Sequence, residues 1–231
     1  MTPSSLVPGQ RLRLADAGEA ADLAAFLARL IHYDRAAAVR LQAGSGVLGV
    51  FGRPPSFEVL AIRTARLAAA DSFDLTVSAG QLTDALDAGG AETALPPAVT
   101  GPPWAGVLPP RGGWRPVPGL PGPAAVHGAL AAAVAEFRSR DAALPEQRRT
   151  RGERDRIGRE IWSRTLGDTG LPLRAVHAAQ SLGFLRPAGG PAPDAAGLAL
   201  YAAGGWLRLR TPYGSIAVRT GGLTGLTVTP A

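Results

Sequence analysis

Between positions 96 and 123 the chain places ten prolines and six glycines. Each proline removes a backbone donor and fixes φ at about −65°, and each glycine raises the entropy lost on ordering, so neither a helix nor an interior strand can run through this stretch. The segment divides the chain into an α+β unit over 1–95, a connector over 96–123 and a helical part over 124–231. Trp104 and Trp114 lie inside the connector, and two large apolar rings are costly to leave in water. Two readings follow. One is a polyproline ligand for the aromatic-lined groove of another protein; the other, which gives the rings cover, is a connector packed on a neighbouring part of its own chain.

The flanks are patterned as folded protein. Leu12 and Leu14 alternate with Arg11 and Arg13, as in a half-buried strand. Asp16, with Glu19 three positions on, has the spacing of a helix N-cap, and Leu23, Phe26, Leu27, Leu30 and Ile31 then share one helical face. Residues 36–42 and 47–51 flank AGSG and predict a hairpin. Strands are expected at 57–67 and 73–77, the latter leading into a second helix capped by Ser78. Together these form a strand meander with helices.

After the connector, Val126, Leu130, Val134 and Phe137 mark a long helix that ends near Pro145. Residues 146–166 predict a second helix with Ile157, Ile161 and Trp162 inward and Arg149/Glu153, Arg151/Asp155 and Arg156/Glu160 at i,i+4 spacing outward. A third helix over 171–185, a Gly/Pro/Ala loop at 186–197 and a hairpin of 206–210 with 215–219 complete the chain. The hairpin either closes the helical part or returns to the N-terminal sheet, which would make the two halves one domain.

Composition narrows the chemistry. All 24 basic residues are arginine and none is lysine, which points first to a GC-rich genome and only second to a use for guanidinium groups. The net charge of +6 is unevenly spread, with an acidic middle at 67–145 and the densest arginine run at 148–164. The absence of cysteine excludes thiolate nucleophiles, disulfides and Cys-ligated zinc. No run is apolar and long enough to span a bilayer, no membrane partner is expected, and a cytoplasmic location is expected.

Few residues have the spacing of a catalytic or ligand-binding motif. His32, His127 and His177 have no metal-ligand spacing. The glycines of GSGVLGVFG (44–52) sit between two strands, where a phosphate-cradling loop needs a strand and a helix. Asp84 and Asp87 share a helical face with nothing to separate their pKa values. No catalytic residue, metal or cofactor is expected.

One constellation carries a site. Two helices joined by a short turn and followed by a hairpin have the order of a winged helix-turn-helix. In that reading Arg148, Arg149, Arg151 and Arg154 neutralise phosphates. Arg174, His177 and Gln180 sit on the recognition helix, and Arg208, Arg210 and Arg219 line the wing. Against it, Glu146, Glu153, Asp155 and Glu160 compensate over half the charge of the first helix, which also fits a salt-bridged surface element. The expected function is therefore a non-enzymatic binding or scaffold protein that meets a protein partner or a second copy of itself. Nucleic-acid binding through the arginine-rich C-terminal segment is the alternative, and an enzyme site assembled from scattered residues ranks behind both.

The segments WAGVLPPRGGW (104–114), AVHAAQSLGFL (175–185) and WLRLRTPYGSIAVR (206–219) resemble an uncharacterised conserved family of high-GC Gram-positive, actinobacterial, proteins. That resemblance implies cytoplasmic residence and no mechanism, and it transfers no site residue.

Overall fold

A computed structural model describes residues 10–102, 104, 107–186 and 197–220. The class is α+β. Strand β1 (Arg11–Arg13) pairs antiparallel with β6 (Glu92–Ala94), burying Leu12 and Thr93. Helix α1 (Ala17–Tyr33) begins where the sequence predicts, with the Asp16 carboxylate accepting from Glu19 N at 2.9 Å, which satisfies one of the free donors of the first turn. The Glu19 side chain does not complete a capping box; it accepts from Arg66 at 2.8 Å.

The main sheet has eight strands. Four belong to the first half: β2 (Ala38–Gly44), β3 (Val47–Gly52), β4 (Leu60–Arg66) and β5 (Phe73–Ser78). The β2–β3 turn holds Ser45 at φ 52° and Gly46 at φ 76°, the pair of positive φ values that so short a hairpin turn requires. The first half is not a simple meander, because β5 skips β4 and pairs with β2. The expected strand at 57–67 is shortened: Pro55–Phe57 is a 3₁₀ turn, Glu58 sits at φ 51°, and pairing starts at Leu60. Helix α2 (Ala79–Gly89) follows, with Ser78 Oγ accepting from Gln81 N at 3.4 Å.

The second half supplies β7 (Arg115–Pro116), α3 (Pro123–Ala142), α4 (Arg151–Trp162), α5 (Leu173–Ser181), β8 (Ala199–Ala203), β9 (Trp206–Thr211) and β10 (Gly214–Arg219). The helix expected at 146–166 is interrupted. Glu146–Arg148 forms a 3₁₀ turn, and α4 starts afresh where Thr150 Oγ1 accepts from Glu153 N at 3.2 Å. The predicted hairpin is present as β9 and β10, but it is no free wing: β10 pairs with β4 and β9 with β8. The sheet order is β5-β2-β3-β4-β10-β9-β8-β7, so one continuous sheet carries strands from both sides of the connector. The Gly/Pro/Ala loop expected at 186–197 lies, over 187–196, outside the described residues.

Alternation then divides the sheet into two faces. Val39, Leu41, Leu48, Val50, Leu75, Leu207, Leu209, Ile216 and Val218 point to the core shared with α1, α2 and the C-terminal helices. Leu60, Ile62, Trp206 and Ala217 point the other way, where Trp104 covers them and Trp114 and Leu108 pack alongside. The connector is thus a lid on the second face of its own sheet. An ion-pair cluster ties the halves together on the core side: Asp22 of α1 accepts from Arg63 of β4 at 2.9 Å and from Arg186 at 2.8 Å. Arg63 also donates to Tyr213 O in the β9–β10 turn at 2.6 Å. No helix among the described residues is long and apolar enough to cross a membrane.

Candidate functional site

Apart from the exposed Arg159, the arginines of the 148–164 run face carboxylates and carbonyls of their own layer. Arg148 pairs with Glu153 at 3.4 Å, Arg151 with Asp155 at 3.8 Å and Arg154 with Asp141 at 2.7 Å. Arg149 does not meet Glu153 as its spacing predicts; it donates to the carbonyls of Leu144 and Ala142 at 3.0 and 3.1 Å, closing the C-terminus of α3. Across the α3–α4 contact, Glu160 accepts from Arg140 twice at 2.7 Å, and Glu136 accepts from Arg164 at 2.6 and 2.8 Å. These bonds hold the Glu160 carboxyl down to about 2 and lower that of Glu136, because donors to the charged form favour it.

Helix α5 is not presented as a recognition helix. Leu173, Ala175, Val176, Ala178 and Ala179 are buried against the sheet and neighbouring helices. His177 is stacked on Trp162 with centroids 4.3 Å apart and meets Phe57 edge-on at 5.1 Å. Burial lowers its pKa, disfavouring the charged ring. Arg174 lies 4.0 Å from Glu58, its Nε buried without a hydrogen-bond partner. Gln180 is exposed. His127 spans the carbonyls of Pro123 and Leu185 at 2.8 and 3.1 Å, a cross-brace between α3 and the end of the α5 region. Among the described residues no group of three His, Asp or Glu side chains is placed to hold a metal ion.

The wing residues sit elsewhere. Alternation along β9 sends Leu207 and Leu209 to the core, so Trp206, Arg208 and Arg210 project from the connector face, opposite the side covered by the helices. The structure therefore does not bring Arg148, Arg149, Arg151 and Arg154 together with Arg208 and Arg210. Arg219, cross-strand from Trp206, carries its guanidinium over that indole at 5.0 Å.

The same face contains a cleft of about 670 Å³. Leu60, Ala217 and Trp206 form its floor, and Gly101 and Pro102 of the connector form one wall. The wall fits closely: a Cβ at Gly101 would lie 2.6 Å from Thr76 Cγ2 and 3.5 Å from the indole nitrogen of Trp104, a donor buried without a partner. Pro54 and Pro55 also line the cleft, as do charged side chains of both signs, Arg53, Arg219, Asp34 and Glu58. Arg53 is exposed and makes no ion pair among the described residues. The two connector tryptophans are the sequence signal for this face; Arg53, in a short polar loop, carried none.

Residues 7–106 match the family model described as Domain of unknown function (DUF8010), and residues 109–223 match that described as Domain of unknown function (DUF8185). The boundary falls within the connector, so the two matches share one sheet across the β4–β10 pairing. No curated protein and no solved structure matches the chain. Both matched domains are of unknown function and together they span most of the chain, which is consistent with an uncharacterised family.

Proposed function

We propose that this chain is a non-catalytic binding protein whose cleft between connector and sheet takes a short extended segment of a partner protein. The observation that carries the reading is the cleft itself: about 670 Å³, lined by leucine, alanine, tryptophan and proline together with charged side chains of both signs. Concave sites with apolar linings and a few placed polar groups are where ligands bind. An apolar floor under paired opposite charges suits a peptide with an apolar centre and charged ends.

Other modes of protein contact have less support. The β5 edge is partly covered by the connector, with Val99 N donating to Thr76 O at 2.8 Å, and the opposite edge ends in the short β7, which contains Pro116. Both edges are thereby shortened as templates for an added strand. Val47, at 42% exposure, is the one large apolar side chain left exposed among the described residues, too little for a flat apolar interface. Nucleic-acid binding through Arg148, Arg149, Arg151 and Arg154 is disfavoured because each of these side chains already has an intramolecular partner.

Selection from a phage-displayed random heptapeptide library tests the reading. Enriched peptides should combine an apolar centre with charged flanks. Ala36→Trp, which fills the cleft from its exposed wall, should weaken them about tenfold or more, and Arg53→Gln should do so by a smaller factor. Absence of enrichment, or equal binding to Ala36→Trp, would overturn the assignment.

A further inference from the structure

Arg208 and Arg210 differ from most of the chain's other arginines in lacking an answering group. Both project from the connector face of β9, Arg208 opposite Tyr201 of β8 and Ala217 of β10, Arg210 opposite Ala199 and Ser215. Neither makes an ion pair or a hydrogen bond among the described residues. Arg208 Nε is buried without an acceptor, and its guanidinium carbon lies 5.7 Å from the centre of the Trp114 ring. That ring is itself fixed, because Trp114 Nε1 donates to Pro110 O at 3.0 Å. Burial, reinforced by the charge of Arg210, pulls the Arg208 pKa down. Two cations therefore share one small, partly desolvated area with no carboxylate to offset them.

We propose that Arg208 and Arg210 bind the phosphoryl group of a small phosphate monoester. A phosphate monoester carries about −1.5 to −2 charge near neutral pH, which matches two guanidinium groups better than the single charge of a carboxylate. Its three oxygens accept the forked donors of arginine, and Trp114 and Tyr201 flank the position. The site fits one phosphoryl group and not a polymer backbone: of the neighbouring cations on this face, Arg40 is held by Asp74 at 2.8 and 3.0 Å, Arg219 lies over Trp206, and Arg53 belongs to the separate cleft. Neither Arg208 nor Arg210 lines the cleft, so the two sites can be tested separately.

The test follows the Nε–Hε resonance of Arg208 in the full chain by ¹H–¹⁵N NMR, titrated at constant ionic strength with inorganic phosphate, glycerol phosphate, acetate and a phosphoserine peptide. A saturable shift with both phosphates and a weaker response to acetate are expected. Arg210→Ala, at an exposed position, should weaken glycerol phosphate about tenfold or more while near-UV circular dichroism stays unchanged. Arg208→Met, which keeps the apolar stem, should abolish the saturable change in intrinsic tryptophan fluorescence that glycerol phosphate produces in the unaltered chain. A shift that never saturates, acetate as effective as phosphate, a phosphoserine peptide much tighter than glycerol phosphate, or an unaffected Arg210→Ala would each overturn the proposal. So would tight binding of a single-stranded oligonucleotide whose salt dependence corresponds to release of more than about two counterions, given a slope of about 0.7 per phosphate contact.

Discussion

The α3–α4 layer and the outer face of β9 are built from the same basic residue and treat it in opposite ways. On the helices, Arg140, Arg154, Arg156 and Arg164 each reach Asp141, Glu136, Glu153 or Glu160, within one helix or across the pair. On β9, Arg208 and Arg210 have no such neighbour among the described residues. The backbone geometry explains the contrast. A helix turns about every 3.6 residues, so an acid three or four positions away, or on the adjoining helix, comes within reach. A strand sends alternate residues to one face, and the residues across from these two arginines are tyrosine, alanine and serine. Local charge density is therefore a poor guide to where a chain is free to attract an anion; the densest arginine run here is largely compensated.

The largest effect is expected where a carboxylate answers a buried cation. Arg63 is 8% exposed, and Asp22 accepts from it and from Arg186. Asp22→Ala should cost about 3 kcal/mol in urea unfolding, the lower end for breaking a buried pair, because Asp22 is itself partly exposed. A loss under about 1 kcal/mol would show that burial does not distinguish this cluster from ordinary surface pairs. Removing an unanswered cation should act in the other direction. Arg208→Met should raise stability by about 1 kcal/mol, since a buried donor without an acceptor is released from a desolvation cost. A destabilised Arg208→Met would mean that the guanidinium is answered after all.

The smallest effect is a matter of pH. Glu160 is held down to about 2, first by its hydrogen bonds from Arg140 and then by the charges of Arg140, Arg164 and Arg156. Because the folded value lies below the ordinary 4.5, the contribution is complete above about pH 4.5 and is lost as pH falls through about 2. Glu160→Gln should flatten the dependence of Tm on pH within that window and leave it unchanged above, with the difference shrinking in high salt. An identical acid limb in the variant would remove the helix layer as the reference for an answered region.

Local features of the fold were legible from the residues. The alternation of Leu12 and Leu14, the Asp16 cap and the β2–β3 turn each depend on neighbours within a few positions, where periodicity and turn chemistry act. Long-range pairings were not: nothing near residues 73–78 says that β5 joins β2 and passes over β4, and nothing in 215–219 names β4 as its partner. Strand β8 escaped because Ala199–Ala203 is a short, small-residue run beyond a Gly/Pro-rich stretch. The site was half visible. Trp104 and Trp114 marked the connector as something that packs, and Arg208 and Arg210 stood out as cations. Their grouping with Arg148, Arg149, Arg151 and Arg154 followed sequence order, which the sheet does not respect.

The pairing of β4 with β10 also sets a schedule for synthesis. Ile62 meets Ser215, and the residues between them must all be translated before β4 gains its second neighbour. At about 5–20 residues per second, that leaves β4 with an open edge for roughly 8–30 s. The two family-matched halves are thus separated in sequence yet joined in time. The nascent first half waits for a strand from far along the chain, and shielding that waiting edge from other chains becomes a requirement of making the protein at all.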